Sequence, residues 1–349
     1  MTKKNVISSC CSAVIVAAIA ACPSCSGGNG WQMEQGMVWN TTYHITYKGV
    51  PELKDSVLKV LGEIGKSLNV FDGESLVSRV NITDSTAIDS HFRSVYTMSQ
   101  LVNTASGGMF DPTLSPLITA WGFGPGHEMT ADTLAVDSIL RFTGIGKTHL
   151  SGDYLVKEDI RTQFNFSAVA KGYGCDAIGT MLARNGVNDY MIEIGGEIAA
   201  SGMSPRRGGW RISIDRPVES ATEEIHDAVT VIEVNNAGIA TSGNYRNFHK
   251  QGNKTLGHTI SPLTGRPVQT DVISATVIAP TAMEADAAAT ACMASGSAKS
   301  KEMLASLRLE GMLILSDSTI WTTPGFDKLC EKSQGARVKS EESRVKGQE

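Results

Sequence analysis

The sequence predicts a single compact α+β body in which mixed sheets pack against helices. Helical and strand-like segments follow one another from residue 31 to residue 332, without the strict strand–helix–strand alternation of a parallel α/β fold. No long linker and no fixed repeat interrupts this stretch. The whole chain of 349 residues is 41% hydrophobic and 19% charged, which is ordinary for a globular protein and excludes a fibrous or disordered one.

The elements of the first half are predicted from periodicity. Residues 41–48 alternate between polar and apolar side chains and predict an opening strand, whereas 52–69 has helical spacing. The apolar positions of that helix are Val57, Leu58, Leu61, Ile64 and Leu68. Further helices are predicted at 92–106 and 168–185, the second closed by Gly186 as a C-cap.

The second half is predicted to be richer in strands. Strand-like runs occupy residues 190–194, 210–215, 229–234 and 273–279. An alanine-rich helix is predicted at 281–294, followed by a closing hairpin at 312–316 and 319–322.

The N-terminal residues 1–21 are predicted to be a secretory signal peptide. Lys3 and Lys4 precede a short apolar run that is too short to span a membrane. Ile19-Ala20-Ala21-Cys22 resembles a bacterial lipobox, in which the cysteine is lipidated. The alternative is an ordinary signal peptide in which Cys22 is incidental.

The lipobox interpretation implies a chain anchored in the bacterial cell envelope, facing the periplasm or the exterior. Residues 22–30 are predicted to be a flexible tether. Residues 31–332 form the predicted functional domain, and the charged residues 333–349 a disordered tail.

Composition and motifs exclude several functions. The formal net charge is -5, with 31 Lys and Arg against 36 Asp and Glu, and aromatic residues are only 6%, so we expect no nucleic-acid partner. Gly146-Lys147-Thr148 ends like a phosphate-binding P-loop, but its first glycine would fall at Arg141. The metalloprotease motif H-E-x-x-H and the hydrolase motif G-x-S-x-G are both absent from the sequence.

Asp286 and Thr290 are candidate metal ligands. They are four residues apart in a predicted helix and therefore share one face. Oxygen ligands of this kind suit Mg²⁺ better than zinc. The alternative is that Asp286 is an ordinary charge in the first turn and Thr290 an ordinary helix residue.

Six glycine-rich or polar segments occur in a fixed order along the chain. They are 107–121 (GGMFDPTLSPLITAW), 167–174, 190–202, 240–248 (ATSGNYRNF), 258–267 (HTISPLTGRP) and 279–291 (APTAMEADAAATA). In this order they resemble the ApbE family, the bacterial FAD:protein FMN transferases, from about residue 39 to residue 326. The resemblance implies an ApbE-like fold and an enzyme that uses FAD as substrate and Mg²⁺ as cofactor.

The resemblance also implies roles for individual residues. The implied Mg²⁺ ligands are the backbone carbonyl of Ala168 and the side chains of Asp286 and Thr290. His258 is the implied catalytic base beside the phosphates, and Asp286 is the second catalytic residue. The alternative for His258 is a histidine that contacts phosphate or has a structural role only. The implied cofactor-binding residues are Trp39, Phe71, Met109, Phe110, Asp111, Lys171, His258 and Thr259.

Three positions depart from the family pattern. Trp39 stands where the family has a methionine that touches FAD, Phe71 where it often has tyrosine, and Ser261 where it has aspartate. None of these three positions is an implied metal ligand.

The implied reaction transfers FMN from FAD to a threonine side chain and releases AMP. The implied acceptors are exported flavoprotein subunits of sodium-pumping and electron-transfer respiratory complexes, which a membrane anchor would place nearby. Two alternatives stay open: a Mg²⁺-dependent FAD pyrophosphatase, with water in place of the acceptor hydroxyl, and a lipoprotein that binds FAD without turnover.

Overall fold

An eight-stranded antiparallel sheet forms the centre of the molecule. The computed structural model describes residues 30–49, 53–123, 133–216, 228–243, 248–251, 254–257 and 259–330. The predicted signal peptide, the tether up to residue 29, the tail and His258 lie outside these residues. Within them, no helix is long and apolar enough to cross a membrane.

The strands and helices have the following bounds. The strands are β1 Trp31–Val38, β2 Thr41–Lys48, β3 Ser85–Ala87, β4 Thr148–Ser151, β5 Tyr154–Lys157, β6 Tyr190–Ile194, β7 Glu197–Ser201, β8 Trp210–Asp215, β9 Ala228–Val234, β10 Ala237–Gly243, β11 Phe248–Gln251, β12 Lys254–Gly257, β13 Val272–Ala279, β14 Glu310–Leu315 and β15 Ile320–Thr322. The helices are α1 Lys54–Leu68, α2 Leu76–Asn81, α3 Ser90–Ala105, α4 Ser115–Ala120, α5 Thr133–Leu140, α6 Ala170–Arg184, α7 Ala282–Ser295 and α8 Ser297–Leu307, with a 3-10 turn at Ile145–Lys147.

The large sheet has the strand order β1-β2-β6-β7-β10-β13-β14-β15, and all neighbouring pairs are antiparallel. Three small sheets, β3-β5-β4, β8-β9 and β11-β12, accompany it. Helices and antiparallel strands thus mix in one body, which confirms the predicted α+β class.

Helix α7 is the central helix of the fold. Ten of its residues are buried, and they lie on all of its faces rather than along one stripe. A helix that is apolar all round is an interior helix. Its small alanine side chains allow the neighbouring elements to approach closely, and α7 packs against β10, β13, α3 and α6.

An aromatic cluster fixes the chain that leads into helix α6. The ring centroids of Phe92 and Phe166 are 5.1 Å apart in an edge-on arrangement, and Phe164 stacks on Phe166 at 5.5 Å. Asn81 donates to the Phe164 carbonyl at 2.9 Å and accepts from its N–H at 2.7 Å. These contacts hold residues 164–166 in place just before Ala168.

Most predicted elements are present with small shifts in their ends. The helix predicted at 168–185 begins later, at Ala170, since residues 167–169 form a turn. Leu58, which was expected on the buried face of α1, is 45% exposed, so that face is narrower than predicted. No prediction covered the strands β1, β3, β4, β5, β7, β10, β11 and β12 or the helices α2, α4, α5 and α8. Helix α8 is mostly polar and buries only Ser300, Met303 and Leu304.

Candidate active site

The start of helix α7 is held by its own N-cap residue and by a side chain of helix α6. Thr281 caps the helix by accepting the Glu284 N–H at 3.2 Å. Asp176 of α6 accepts the N–H groups of Ala282 at 2.9 Å and Met283 at 2.8 Å. Burial raises the pKa of Asp176 to about 6, and these two hydrogen bonds oppose that shift. The first turn of α7 therefore has a fixed position relative to α6.

Two glycines allow this close approach. A Cβ on Gly172 of α6 would lie 2.2 Å from the Ala282 carbonyl oxygen, and one on Gly238 of β10 would lie 2.1 Å from the Ala282 nitrogen. Only glycine fits where backbones come this close. Lys171, which precedes Gly172, is thereby brought beside α7.

Asp286 lies one turn further along α7 and faces α6. The residue is only 2% exposed, and its Oδ2 accepts the Gly172 N–H at 3.1 Å. The same oxygen lies 3.9 Å from the Lys171 Nζ. Burial raises the pKa of Asp286, and the positive charge of Lys171 opposes that shift. The structure thus brings together two of the residues that the sequence analysis singled out.

Glu197 joins this cluster although the sequence analysis gave it no role. The Lys171 Nζ donates to the Glu197 Oε1 at 3.0 Å. Burial raises the pKa of the Glu197 carboxyl, and the charge of Lys171 and the hydrogen bond from its ammonium oppose that shift and favour the ionised carboxylate. Burial alone would lower the pKa of Lys171, but the charges of Asp286 and Glu197 together raise it above its ordinary value.

Thr290 lies on α7, and Ala168 lies just before α6. The Thr290 Oγ1 is 3.3 Å from the hydroxyl of Ser242, which belongs to the polar segment 240–248. Ala168 is partly buried in the turn directly before α6, one helical turn from Gly172.

These residues fit a Mg²⁺ ion chemically. A carboxylate, a hydroxyl and a backbone carbonyl are all oxygen donors of the kind that Mg²⁺ prefers. The buried cluster has two carboxylates and one ammonium, so when both carboxylates are ionised the negative charges outnumber the positive one. No group of three or more His, Cys, Asp or Glu that could hold a metal occurs within the described ranges, so a cation here would need the neutral oxygens as well.

Asp111 lies within the glycine-rich segment 107–121 and binds the protein's own backbone. One of its carboxylate oxygens accepts from the Thr113 N–H at 2.8 Å and the Thr113 hydroxyl at 2.5 Å. The other accepts from the Ile145 N–H at 3.0 Å. Met109 and Phe110 are 8% and 3% exposed. The implied contacts of these three residues with FAD stay predictions.

The two implied flavin-contacting aromatic residues differ in environment. Trp39 has a positive φ of 48° in the turn between β1 and β2, and its ring packs against Gly65 and Gly174, leaving it half-buried. Gly174 lies in the same helix as Lys171, one turn away, so Trp39 is near the charged cluster. Phe71 is 60% exposed in the loop after α1, where its ring is accessible to a ligand.

A profile of the ApbE family matches residues 39–313 of this sequence, well over half of the chain. The chain belongs to the ApbE family. The matched range falls inside the predicted domain of residues 31–332, and the match confirms the resemblance drawn from the six segments.

Individual ApbE relatives are similar over most of their length. The FAD:protein FMN transferase of Escherichia coli K12 is 30% identical over 309 residues, which cover 83% of this chain and 86% of the relative. The FAD:protein FMN transferase of Vibrio cholerae is 30% identical over 311 residues, covering 85% and 90%.

Solved ApbE structures share the fold. The flavin transferase ApbE of Vibrio cholerae superposes with a TM-score of 0.78 at 27% identity, covering 86% of this chain and all of that one. The apo form of the Pseudomonas stutzeri flavinyl transferase ApbE gives a TM-score of 0.79 at 26% identity, covering 88% and 99%. The predicted ApbE-like architecture is therefore confirmed.

Two residues of this site, Glu197 and Asp176, were given no role from the sequence. Glu197 carried a signal, since a glutamate directly after a Gly-Gly pair in an apolar strand region is unusual. Asp176 carried no such signal, because its partners Ala282 and Met283 are 106 and 107 residues away in the sequence.

Thr259, an implied cofactor-binding residue, is partly buried, and its carbonyl accepts the Val268 N–H at 2.9 Å.

Proposed function

We propose that this protein transfers FMN from FAD to a hydroxyl side chain, a threonine, of an acceptor protein and releases AMP. The observation that carries the proposal is the buried junction of α6 and α7, where Lys171 and Asp286 meet in a chain of the ApbE family. Its relatives are named FAD:protein FMN transferases.

The transfer forms one bond and breaks another at the FMN phosphorus. The acceptor oxygen attacks that phosphorus, and the bond to the AMP phosphate breaks in line with the attack. The acceptor proton passes to His258; the unperturbed pKa of a histidine side chain, about 6.5, suits a base at ambient pH. Lys171 supplies a fixed positive charge near the pyrophosphate.

Mg²⁺ is the proposed cofactor, with Asp286, Thr290 and the Ala168 carbonyl as its ligands. When bound, it would neutralise phosphate charge and stabilise the leaving AMP. The oxygen donors and the surplus of buried carboxylates support this assignment.

The cellular setting is proposed from the N-terminal sequence. A lipid on Cys22 would hold the enzyme at the membrane, facing the periplasm or the exterior. The acceptors we propose are exported flavoprotein subunits of respiratory complexes, which work at the same membrane.

One incubation separates transfer from its two alternatives. The full chain is mixed with FAD, Mg²⁺ and a purified flavoprotein subunit of a sodium-pumping respiratory complex, and all products are weighed by mass spectrometry. We expect the acceptor to gain the mass of one FMN on a threonine, with AMP formed in equal amount. Free FMN with AMP would identify a pyrophosphatase, and intact FAD a binding protein.

A further inference from the structure

Glu197 is a buried carboxylate with a single partner that can balance its charge. The residue is 5% exposed, and its Oε1 accepts from the Lys171 Nζ at 3.0 Å. Its Oε2 is buried and has no hydrogen-bond partner among the described residues. An unpaired buried carboxylate is costly, so the interaction with Lys171 is what makes Glu197 tolerable at this position.

A tight turn determines where the Glu197 side chain lies. β6 and β7 are joined by Gly195 and Gly196, both with positive φ, so that Ile194 pairs directly with Glu197. The Glu193 carboxylate accepts the Gly196 N–H at 2.6 Å and contacts the His44 Nδ1 at 2.6 Å. The Cys175 thiol of α6 donates to the Glu197 carbonyl at 3.2 Å, which ties the strand to that helix.

The Lys171 ammonium lies between two carboxylates but is closer to one of them. Its Nζ is 3.0 Å from the Glu197 Oε1 and 3.9 Å from the Asp286 Oδ2. If Glu197 lost its charge, Asp286 would be the only charged partner left, and the flexible lysine side chain could close the remaining distance. An ammonium paired with Asp286 would compete with a cation for that carboxylate.

We infer that Glu197 is a positioning residue that holds Lys171 away from Asp286 and so keeps the Asp286 carboxylate available to a divalent cation. This inference rests on the proposed function, because it takes Asp286 as the metal ligand. Glu197 itself contacts neither flavin nor metal in this account and acts only through Lys171.

Glu197→Gln tests the inference, because it removes the charge while keeping the size and one acceptor oxygen. Mg²⁺ binding to the full chain without flavin is measured by calorimetry, together with the Mg²⁺ concentration that gives half-maximal FMN transfer. We expect the Mg²⁺ affinity to fall about 10-fold in both measurements. This is the lower end of the usual range for residues that support a metal ligand. Glu197→Asp, which keeps the charge, should recover part of the loss.

The matched control is Glu193→Gln in the same hairpin. It removes an equal charge but keeps an oxygen for the Gly196 N–H, so Mg²⁺ affinity should stay as in the wild type. A second control is Lys171→Gln, which removes the competing ammonium. In the Lys171→Gln background, Glu197→Gln should cause no further loss of Mg²⁺ binding. The double variant also serves as a folding control, because it replaces both members of the buried ion pair by neutral side chains.

The inference is overturned if Glu197→Gln binds Mg²⁺ like the wild type, or if it weakens binding equally when Lys171 is already glutamine. Failure of the proposed metal site gives a different result. In that case Asp286→Ala itself would bind Mg²⁺ normally, whatever the Glu197 variants do.

Discussion

At the scale of single residues, Asp111 shows how one buried carboxylate can organise a loop. It links the segment after Gly108 to the turn at Ile145 through three hydrogen bonds, from the Thr113 N–H, the Thr113 hydroxyl and the Ile145 N–H. Burial raises the pKa of Asp111, and the hydrogen bonds from Thr113 and Ile145 oppose the shift. The carboxylate therefore stabilises the loop through these hydrogen bonds, whether or not FAD also contacts it.

Asp111→Asn is expected to destabilise the protein. The amide keeps one acceptor oxygen and presents an NH₂ group to a backbone or side-chain donor, which leaves buried groups unsatisfied. We expect a loss of about 1–3 kcal/mol in the free energy of unfolding, measured by urea denaturation. The control is Asp153→Asn, whose side chain is 89% exposed in its ion pair with Arg93 and should change stability little. Equal stability of Asp111→Asn and the wild type would show that the loop does not depend on the carboxylate.

The sequence predicted only part of this residue-level chemistry. Asp286 and Thr290 could be placed on one helical face because their spacing is local and the helical period is regular. The contact of Lys171 with Glu197 could not be derived, because it depends on how a helix packs over a hairpin. Periodicity predicts elements but not the distances between them.

At the scale of elements, the candidate site depends on the close contact between α6 and α7. Gly172 serves twice, since its missing side chain admits the Ala282 carbonyl and its N–H binds Asp286. The alanine-rich sequence predicted α7 itself, whereas periodicity did not indicate that α6 would touch its first turn. Only the family resemblance, which assigned Ala168 and Asp286 to one metal ion, implied that the two helices start close together.

Gly172→Ala is expected to force the two helices apart. The added Cβ would lie 2.2 Å from backbone atoms that cannot move independently, and overpacking of this kind costs about 1–3 kcal/mol or more. Because Asp286 would shift with α7, FMN transfer should fall more than stability alone explains. Stability is measured by thermal unfolding. The FMN transfer rate is measured at a temperature where the variant is folded.

The control for this prediction is Gly62→Ala on α1. A Cβ there meets nothing within 4 Å, and alanine favours a helix by up to ~1 kcal/mol over glycine, so stability should rise or stay unchanged. If Gly172→Ala also left stability unchanged or raised it, α6 and α7 could not approach each other as closely as described.

At the scale of the whole molecule, the predicted anchor and the catalytic body are separate. The match to the family begins at residue 39, whereas Cys22 lies at the start of the predicted flexible tether. Cys22→Ser is therefore expected to release the protein from membranes without changing its transfer rate. Fractionation of cells by centrifugation measures the release, and Cys25→Ser, three residues away, should stay anchored. Membrane retention of Cys22→Ser would refute the lipobox interpretation.

The chain is not expected to modify itself. The side chain of Thr276 lies fully buried in the middle of β13, and its hydroxyl is 2.9 Å from that of Thr241. A hydroxyl fixed inside a sheet cannot reach an active site. Purified protein incubated with FAD and Mg²⁺ should gain no flavin mass, whereas a flavinylated peptide containing Thr276 would make the enzyme its own acceptor.

The fold of the whole molecule was the most predictable level. The mixed pattern of helices and strands indicated the α+β class, and six ordered segments indicated the family. Strand order was not predictable, because β6 pairs with β2 across more than 100 intervening residues. The polar helix α8 was missed because its sequence has too few apolar positions to show a period.

The most direct test of the central claim is the transfer rate of Asp286→Ala. Acceptor, FAD and Mg²⁺ are incubated with the variant, and the mass gain of one FMN on the acceptor is followed with time. Loss of the carboxylate assigned to Mg²⁺ should lower the rate roughly 100-fold or more, in line with the several kcal/mol that a catalytic metal contributes. Asp55→Ala, on the exposed side of α1, should transfer FMN like the wild type. Near-normal, Mg²⁺-dependent transfer by Asp286→Ala would contradict the account.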